Sequence, residues 1–301
     1  MNTEFNQSHK PNFFILGGPK CGTTSLYYWL KQHSQIYFPE IKETHYFSTD
    51  LHDHKRAIRK DCAYRSLYEK ASAQHKILGD ASVFHLFSKD AVKNILKFNP
   101  DAKFLVMLRN PVEMVQSLHA QYLHSGNEIY EDFEKAWRLK NERIQGVGVT
   151  RITEDPQLLN YGEVCKLGEQ IERLLRTVTR DRVFFVFLED LKQNPDVILR
   201  DLFIFLDIQE ENIETKVYNK ATKRKYPKLQ RLIKYLNRIK KDLKIKNLNT
   251  GFGRYHRKFN SIEFEKSLLP HAIKQELSTF FESDIKKIEK VLDKNLKHWY
   301  E

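Results

Sequence analysis

The chain has 301 residues, 41% hydrophobic and 12% aromatic, with a net charge of +12 and three cysteines. That length and apolar content fit a folded protein with a sizeable core in one α/β domain. No run approaches the eighteen or so apolar residues that a spanning helix needs, so no membrane-spanning helix is expected. The first twelve residues are polar and carry no leader-like apolar core, and the cysteines lack metal-ligand spacing, so a soluble, cytoplasmic protein is expected.

In chain order, strand candidates fall at Asn12–Leu16, Lys76–Leu78, Phe104–Leu108 and Arg182–Leu188. Helix-like stretches lie between them at Thr24–His33, Lys89–Lys97, Val112–Ser125 and Tyr161–Thr177. Alternation of this kind, with nearly continuous apolar strands, predicts an α/β fold with a central parallel sheet flanked by helices on both faces.

The first strand stops at Gly17-Gly18 and is followed by Pro19-Lys20-Cys21-Gly22-Thr23-Thr24-Ser25, which opens the first helix. Strand, glycine loop and helix make a phosphate cradle, because the loop and first helical turn leave backbone N–H groups aimed at one place. The spacing from Gly17 to Gly22 fits the front of a nucleotide P-loop, but Thr23 stands where the NTPase motif has lysine, and the lysine is Lys20. This displacement argues against ATP or GTP hydrolysis and for another phosphorylated donor. Further on, Lys42-Glu43-Thr44-His45-Tyr46-Phe47 offers a carboxylate and a histidine for acid–base work. Arg109 falls at the carboxyl end of a parallel strand, where such sheets bind ligands, and Ser117 lies in the helix that Asn110-Pro111 starts. Taken alone, Arg109 is more often a structural ion-pair residue. Residues 50–73 and 127–156 read as loops or insertions.

Residues 207–301 read as mainly helical and basic, and residues 1–11 as a flexible N-terminus. Between Lys220 and Lys246 there are twelve Lys/Arg and one acid, Asp242, so this segment carries +11 of the charge. It is either a patch for an anionic ligand or the solvated face of an amphipathic helix, since Leu229, Leu232, Ile233, Leu236, Ile239 and Leu243 recur at helical spacing.

The loop at residues 19–26 resembles the 5′-phosphosulfate loop of sulfotransferases that use 3′-phosphoadenosine 5′-phosphosulfate (PAPS). Phe104 to Pro111, with the following helix and Ser117, resembles the same family's 3′-phosphate strand and helix, and Lys42 to Phe47 is similar to a motif of its heparan-sulfate-type branch. The resemblance covers roughly residues 11–230 and implies a three-layer, P-loop-like single domain. It implies PAPS as donor, 3′,5′-diphosphoadenosine (PAP) as product and no metal. Pro19, Lys20, Cys21, Gly22, Thr23, Thr24 and Ser25 would hold the 5′-phosphate end, Arg109 and Ser117 the 3′-phosphate, and Arg224 a late basic loop over the donor. Lys20 would meet the leaving oxygen, and Glu43 would be the base, with His45 as alternative base or orienting partner. Cys21 receives no catalytic role. The acceptor would be a hydroxyl on a small molecule, glycan or glycolipid, with the basic stretch pointing to an anionic one. Competing readings are a nucleotide kinase or NTPase, a nucleic-acid-binding protein using residues 220–246, and a PAPS binder without activity. Nucleic-acid binding leaves the loop at residues 17–25 unexplained.

Overall fold

A computed structural model of the chain describes residues 10–216, 222–224, 231–236, 239, 261–263 and 269–300, with 222–224 and 261–263 described by backbone alone. Five parallel strands form the central sheet in the order β2-β3-β1-β4-β5: β1 Phe13–Gly17, β2 Ile36–Tyr37, β3 Ile77–Ala81, β4 Lys103–Leu108 and β5 Val183–Phe187. Every residue of β1 and β3 is buried, as is all of β4 after Lys103. Strands without polar alternation require a sheet covered on both faces, and the helices between strands supply the cover. The edge strand β2 was not expected; two residues are too few to show a period.

Up to residue 126 the α-helices are α1 Thr23–Leu30, α2 Asp61–Arg65, α3 Ala91–Phe98 and α4 Pro111–Ser125. α4 starts as the sequence predicts. The Asn110 side chain accepts the Val112 N–H at 2.9 Å, Pro111 occupies the first turn, and Gly126 closes the helix at φ 75°. The single helix expected over Tyr161–Thr177 is two, Tyr161–Cys165 and Leu167–Leu175, broken at Lys166. The cause is tertiary. Asp284, in the C-terminal helix His271–Leu292, accepts the N–H groups of Gly168 (2.8 Å) and Glu169 (2.9 Å), giving the second helix its own N-terminal cap.

The segment 127–156 contains the helix Phe133–Arg138 and is organised around a fully buried ion pair, Glu128 with Arg143 at 2.7 Å. Glu128 also accepts the Tyr161 hydroxyl (2.8 Å) and the N–H groups of Ile129 and Tyr130, so the buried charge is well compensated.

The C-terminal part is helical, as expected, over 231–236 and in the long helix His271–Leu292. Residues 208–216 are not helical, and Thr222–Arg224 (β6) pairs antiparallel with Ser261–Glu263 (β7). A three-residue strand, Thr222-Lys223-Arg224, paired across almost forty residues leaves no local signal. The predicted amphipathic run is helical over 231–236; residues 1–9, 225–230 and 240–260, including Gly251 to Gly253, lie outside the described residues. Among the described residues no helix is long and apolar enough to cross a membrane.

Candidate functional site

The carboxyl ends of β1, β3 and β4 lie side by side, and the chain order reverses between β1 and β4, which opens a crevice there. The loop after β1 turns at Gly17 (φ 132°), where a Cβ would stand 2.8 Å from the Met107 main chain, and again at Gly22 (φ 89°). Gly22 O accepts the N–H groups of Ser25 (3.0 Å) and Leu26 (3.3 Å); among the described residues, the N–H groups of Gly22, Thr23 and Thr24 have no backbone acceptor. These are the open donors of a helix N-terminus. The Cys21 thiol is fully buried, 3.5 Å from Met114 Sδ, and burial pushes it up to about 12, so only its main chain is left to the loop. Pro19 is buried beside it and supplies no N–H.

Three cations converge on this loop. Lys20 takes a left-handed backbone (φ 68°), and its carbonyl accepts Arg109 Nη1 at 3.1 Å, tying the loop to the end of β4 across the reversal. The same Nη1 donates to Ser117 Oγ at 3.1 Å, so Arg109 and Ser117 are brought together as the sequence expected. Arg109 also pairs with the exposed Glu113 carboxylate at 2.6 Å, the ion-pair role the sequence left open. Lys42 Nζ lies 3.5 Å from Thr23 Oγ1 and hydrogen-bonds the Glu43 carboxylate. Burial, then the charges of Arg109 and Lys42, pull the Lys20 ammonium below its ordinary value. Bringing like charges together around unpaired N–H groups is unfavourable until an anion enters, and the residues present fit a doubly phosphorylated donor.

Opposite the loop, Glu43 (φ 63°) and His45 (φ 49°) also have left-handed backbones. Glu43 N–H donates to Ala81 O (2.9 Å) at the end of β3, and its Oε2 accepts Val83 N–H (2.9 Å). His45 is 1% exposed, and its Nε2 is 3.4 Å from Glu43 Oε2 but not aligned for a hydrogen bond, so both ring nitrogens lack a partner. Burial first, then the charges of Lys55, His85 and Lys42, hold His45 well below the usual histidine range. It is a neutral residue packed behind the carboxylate.

The bend carrying Glu43 is held by a buried carboxylate that sequence reasoning missed. Asp80 accepts hydrogen bonds from Thr44 Oγ1 (2.8 Å), Ser82 Oγ (2.7 Å) and Tyr64 OH (3.0 Å), and Ser82 Oγ accepts His45 N–H (3.2 Å). The signal was an acid inside an otherwise apolar strand, Ile77-Leu78-Gly79-Asp80-Ala81. Lys42, noticed only as a neighbour of Glu43, proves to join it to the cradle. Tyr46 and Phe47 of the same motif pack against Tyr64 at 4.2 and 5.1 Å between centroids. Arg224 sits in β6 opposite Ser261, and its side chain, like residues 217–221, lies outside what is described.

These buried histidines set a pH dependence. Burial lowers His45, His85 and His119. The unfolded chain therefore takes up protons near pH 6.5 that the folded one does not, and stability is lost as pH falls through that value. Each histidine contributes up to about 0.8 kcal/mol of loss at pH 6. Asp284, pushed up to about 6 by burial, protonates in the fold below that and offsets part of the loss, so the clean window is pH 7.5 to 6. Denaturant titrations at both ends should give lower stability at pH 6; equal or higher stability would show that these histidines are protonated in the fold.

A family model described as "Sulfotransferase domain" matches residues 10–288. The chain belongs to the sulfotransferase family. Carbohydrate sulfotransferase 15 of Rattus norvegicus is 31% identical over 267 residues, 71% of this chain and 47% of that protein. The membrane-associated sulfotransferase kil1 of Dictyostelium discoideum is 31% identical over 103 residues, 34% of this chain and 21% of that protein. The chain thus spans about half the length of carbohydrate sulfotransferase 15. The crystal structure of a sulfotransferase from Alicyclobacillus acidocaldarius matches with a TM-score of 0.71 and 25% identity, covering 97% of this chain and 99% of that one. The sulfotransferase fold accounts for the parallel sheet and the loop, and the kinase and nucleic-acid readings find no support.

Proposed function

We propose that this sulfotransferase moves a sulfuryl group from PAPS to a hydroxyl, with a carbohydrate as acceptor. One observation carries the proposal. Among the described residues five non-glycine residues have positive φ: Asp207 and Asp293 end helices, and the other three are Lys20, Glu43 and His45. Strained backbone at the residues nominated for chemistry, and there alone outside helix ends, supports a site held in shape for reaction. Relatives named as carbohydrate sulfotransferases support the acceptor class.

The donor supplies an activated S–O bond to its 5′-phosphate. The cradle N–H groups, Thr23, Thr24 and Ser25 would bind that phosphate, and Arg109 with Ser117 would take the 3′-phosphate, Glu113 giving up the guanidinium. Glu43 accepts the acceptor's proton as the new O–S bond forms. The electron pair of the breaking S–O bond stays on the phosphate oxygen, where Lys20 meets the charge, so PAP leaves and the proton rests on Glu43. Lys42, between cradle and base, places positive charge along the path of transfer.

The test is transfer of ³⁵S label from PAPS to a panel of oligosaccharides, glycolipids and phenols. Label on a carbohydrate hydroxyl is the expected result. Label on phenols alone would overturn the acceptor class, and phosphoryl transfer from ATP without sulfuryl transfer would overturn the donor.

A further inference from the structure

The segment 294–300, which follows the C-terminal helix, docks at the carboxyl ends of β4 and β5. Trp299 is 2% exposed, and its ring lies 5.7 Å from that of Phe187, the last residue of β5. Its Nε1–H donates to Glu189 Oε1 at 2.9 Å, and its carbonyl accepts the Asn110 side-chain N–H at 3.2 Å. Lys294 pairs with Asp190 at 2.6 Å, but both side chains are partly exposed and the pair contributes little. The buried contacts of Leu296 and Trp299 carry the docking.

The two side chains that Trp299 meets through hydrogen bonds have different standing. Glu189 is the anchored end. It lies in the helix Leu188–Gln193, and Leu188 Cδ1 is 2.7 Å from where a Cβ on Gly22 would stand, so that helix is already seated against the cradle. Asn110 is the end that gains a fixed position. It directly follows Arg109, and its carboxamide makes two bonds at once: Oδ1 caps α4 by accepting Val112 N–H (2.9 Å), and Nδ2 donates to Trp299 O. The Arg109 guanidinium is in turn held from α4, by Glu113 in the first turn and by Ser117 one turn later. The placing of the first turn of α4 therefore sets where Arg109 and Ser117 stand.

We infer that Trp299 is a positioning residue for donor recognition. It fixes the Asn110 carboxamide, and through it the start of α4, so that Arg109 and Ser117 stand where the donor's 3′-phosphate arrives. The inference rests on the proposed function, in which those two residues take that phosphate. A guanidinium already in place makes its charge-assisted bonds without being ordered on binding, whereas one free to shift loses part of them.

The experiment is calorimetric titration of the purified protein and its variants with PAP and with 5′-AMP. The ratio of the two affinities measures what the 3′-phosphate contributes, and 5′-AMP binding shows that fold and cradle are intact. Asn110→Ser keeps a good cap for α4 and adds no charge, but its side chain is too short to reach Trp299 O. Trp299→Ala removes the ring that seats the segment. Each should cut the ratio about tenfold, the low end of what one hydrogen bond to a charged group contributes, and leave 5′-AMP within about twofold. The double variant should also lose about tenfold, because both changes break one link; independent effects would multiply to about a hundredfold. An unchanged ratio in either variant, equal weakening of PAP and 5′-AMP in Asn110→Ser, or a hundredfold loss in the double variant would each overturn the inference. In all three cases a 3′-phosphate preference in the wild type keeps the donor assignment standing. A wild-type protein without that preference would instead remove the proposed function itself.

Discussion

Lys20→Ala should lower the rate of sulfuryl transfer by about 100- to 1,000-fold, the effect of removing one fixed charge aimed at a leaving oxygen in a shielded site. The reasoning rests on cost. Lys20 holds a left-handed backbone and a partly buried ammonium close to Arg109 and Lys42, three features that work against stability. A residue kept for the fold would not combine them. Lys20→Gly suits φ 68° better than lysine does and should fold with at least wild-type stability, by up to about 1 kcal/mol. It should be as inactive as the alanine variant. Stability measured by denaturant titration and turnover measured with PAPS would then move in opposite directions. A glycine or alanine variant with near-normal turnover would remove Lys20 from the chemistry.

Glu43→Gln should lower transfer by about 100- to 10,000-fold and leave PAP affinity nearly unchanged. Glutamine is the same size and its carbonyl can still accept the Val83 N–H, so the bend over Asp80 and Ser82 survives. What is lost is the proton acceptor and the charge paired with Lys42. His45 cannot replace it, being fully buried behind Glu43. A rate within a few-fold of wild type in Glu43→Gln would assign the base elsewhere.

The fold was legible because its strands are buried on both faces and so appear as uninterrupted apolar runs, with Gly17 and Asn110-Pro111 marking where two of them end. The cradle was legible for a related reason: Gly17 and Gly22 are needed at those positions by backbone geometry, such needs are local, and Lys20 stands in the short loop between them. Glu43 was found through its motif, but the reason it is held in place was not, because Asp80 acts from 37 residues away through Thr44 and Ser82. The break at Lys166, the β6–β7 pair and the docking of Trp299 on Asn110 and Glu189 are all products of tertiary contact, with no period or spacing to betray them. Composition did register that the 220–246 segment is basic, though not that Arg231 and Lys234 turn inward, onto Ile129 O and Asn127.

The most direct measurement is calorimetric titration of the purified protein with PAP, beside 5′-AMP and ATP with magnesium. The three cations and open N–H groups at residues 20–24, with Arg109 poised on Ser117, predict tight binding of PAP and much weaker binding of 5′-AMP. No preference for the 3′-phosphate, or a preference for ATP with magnesium, would contradict the account.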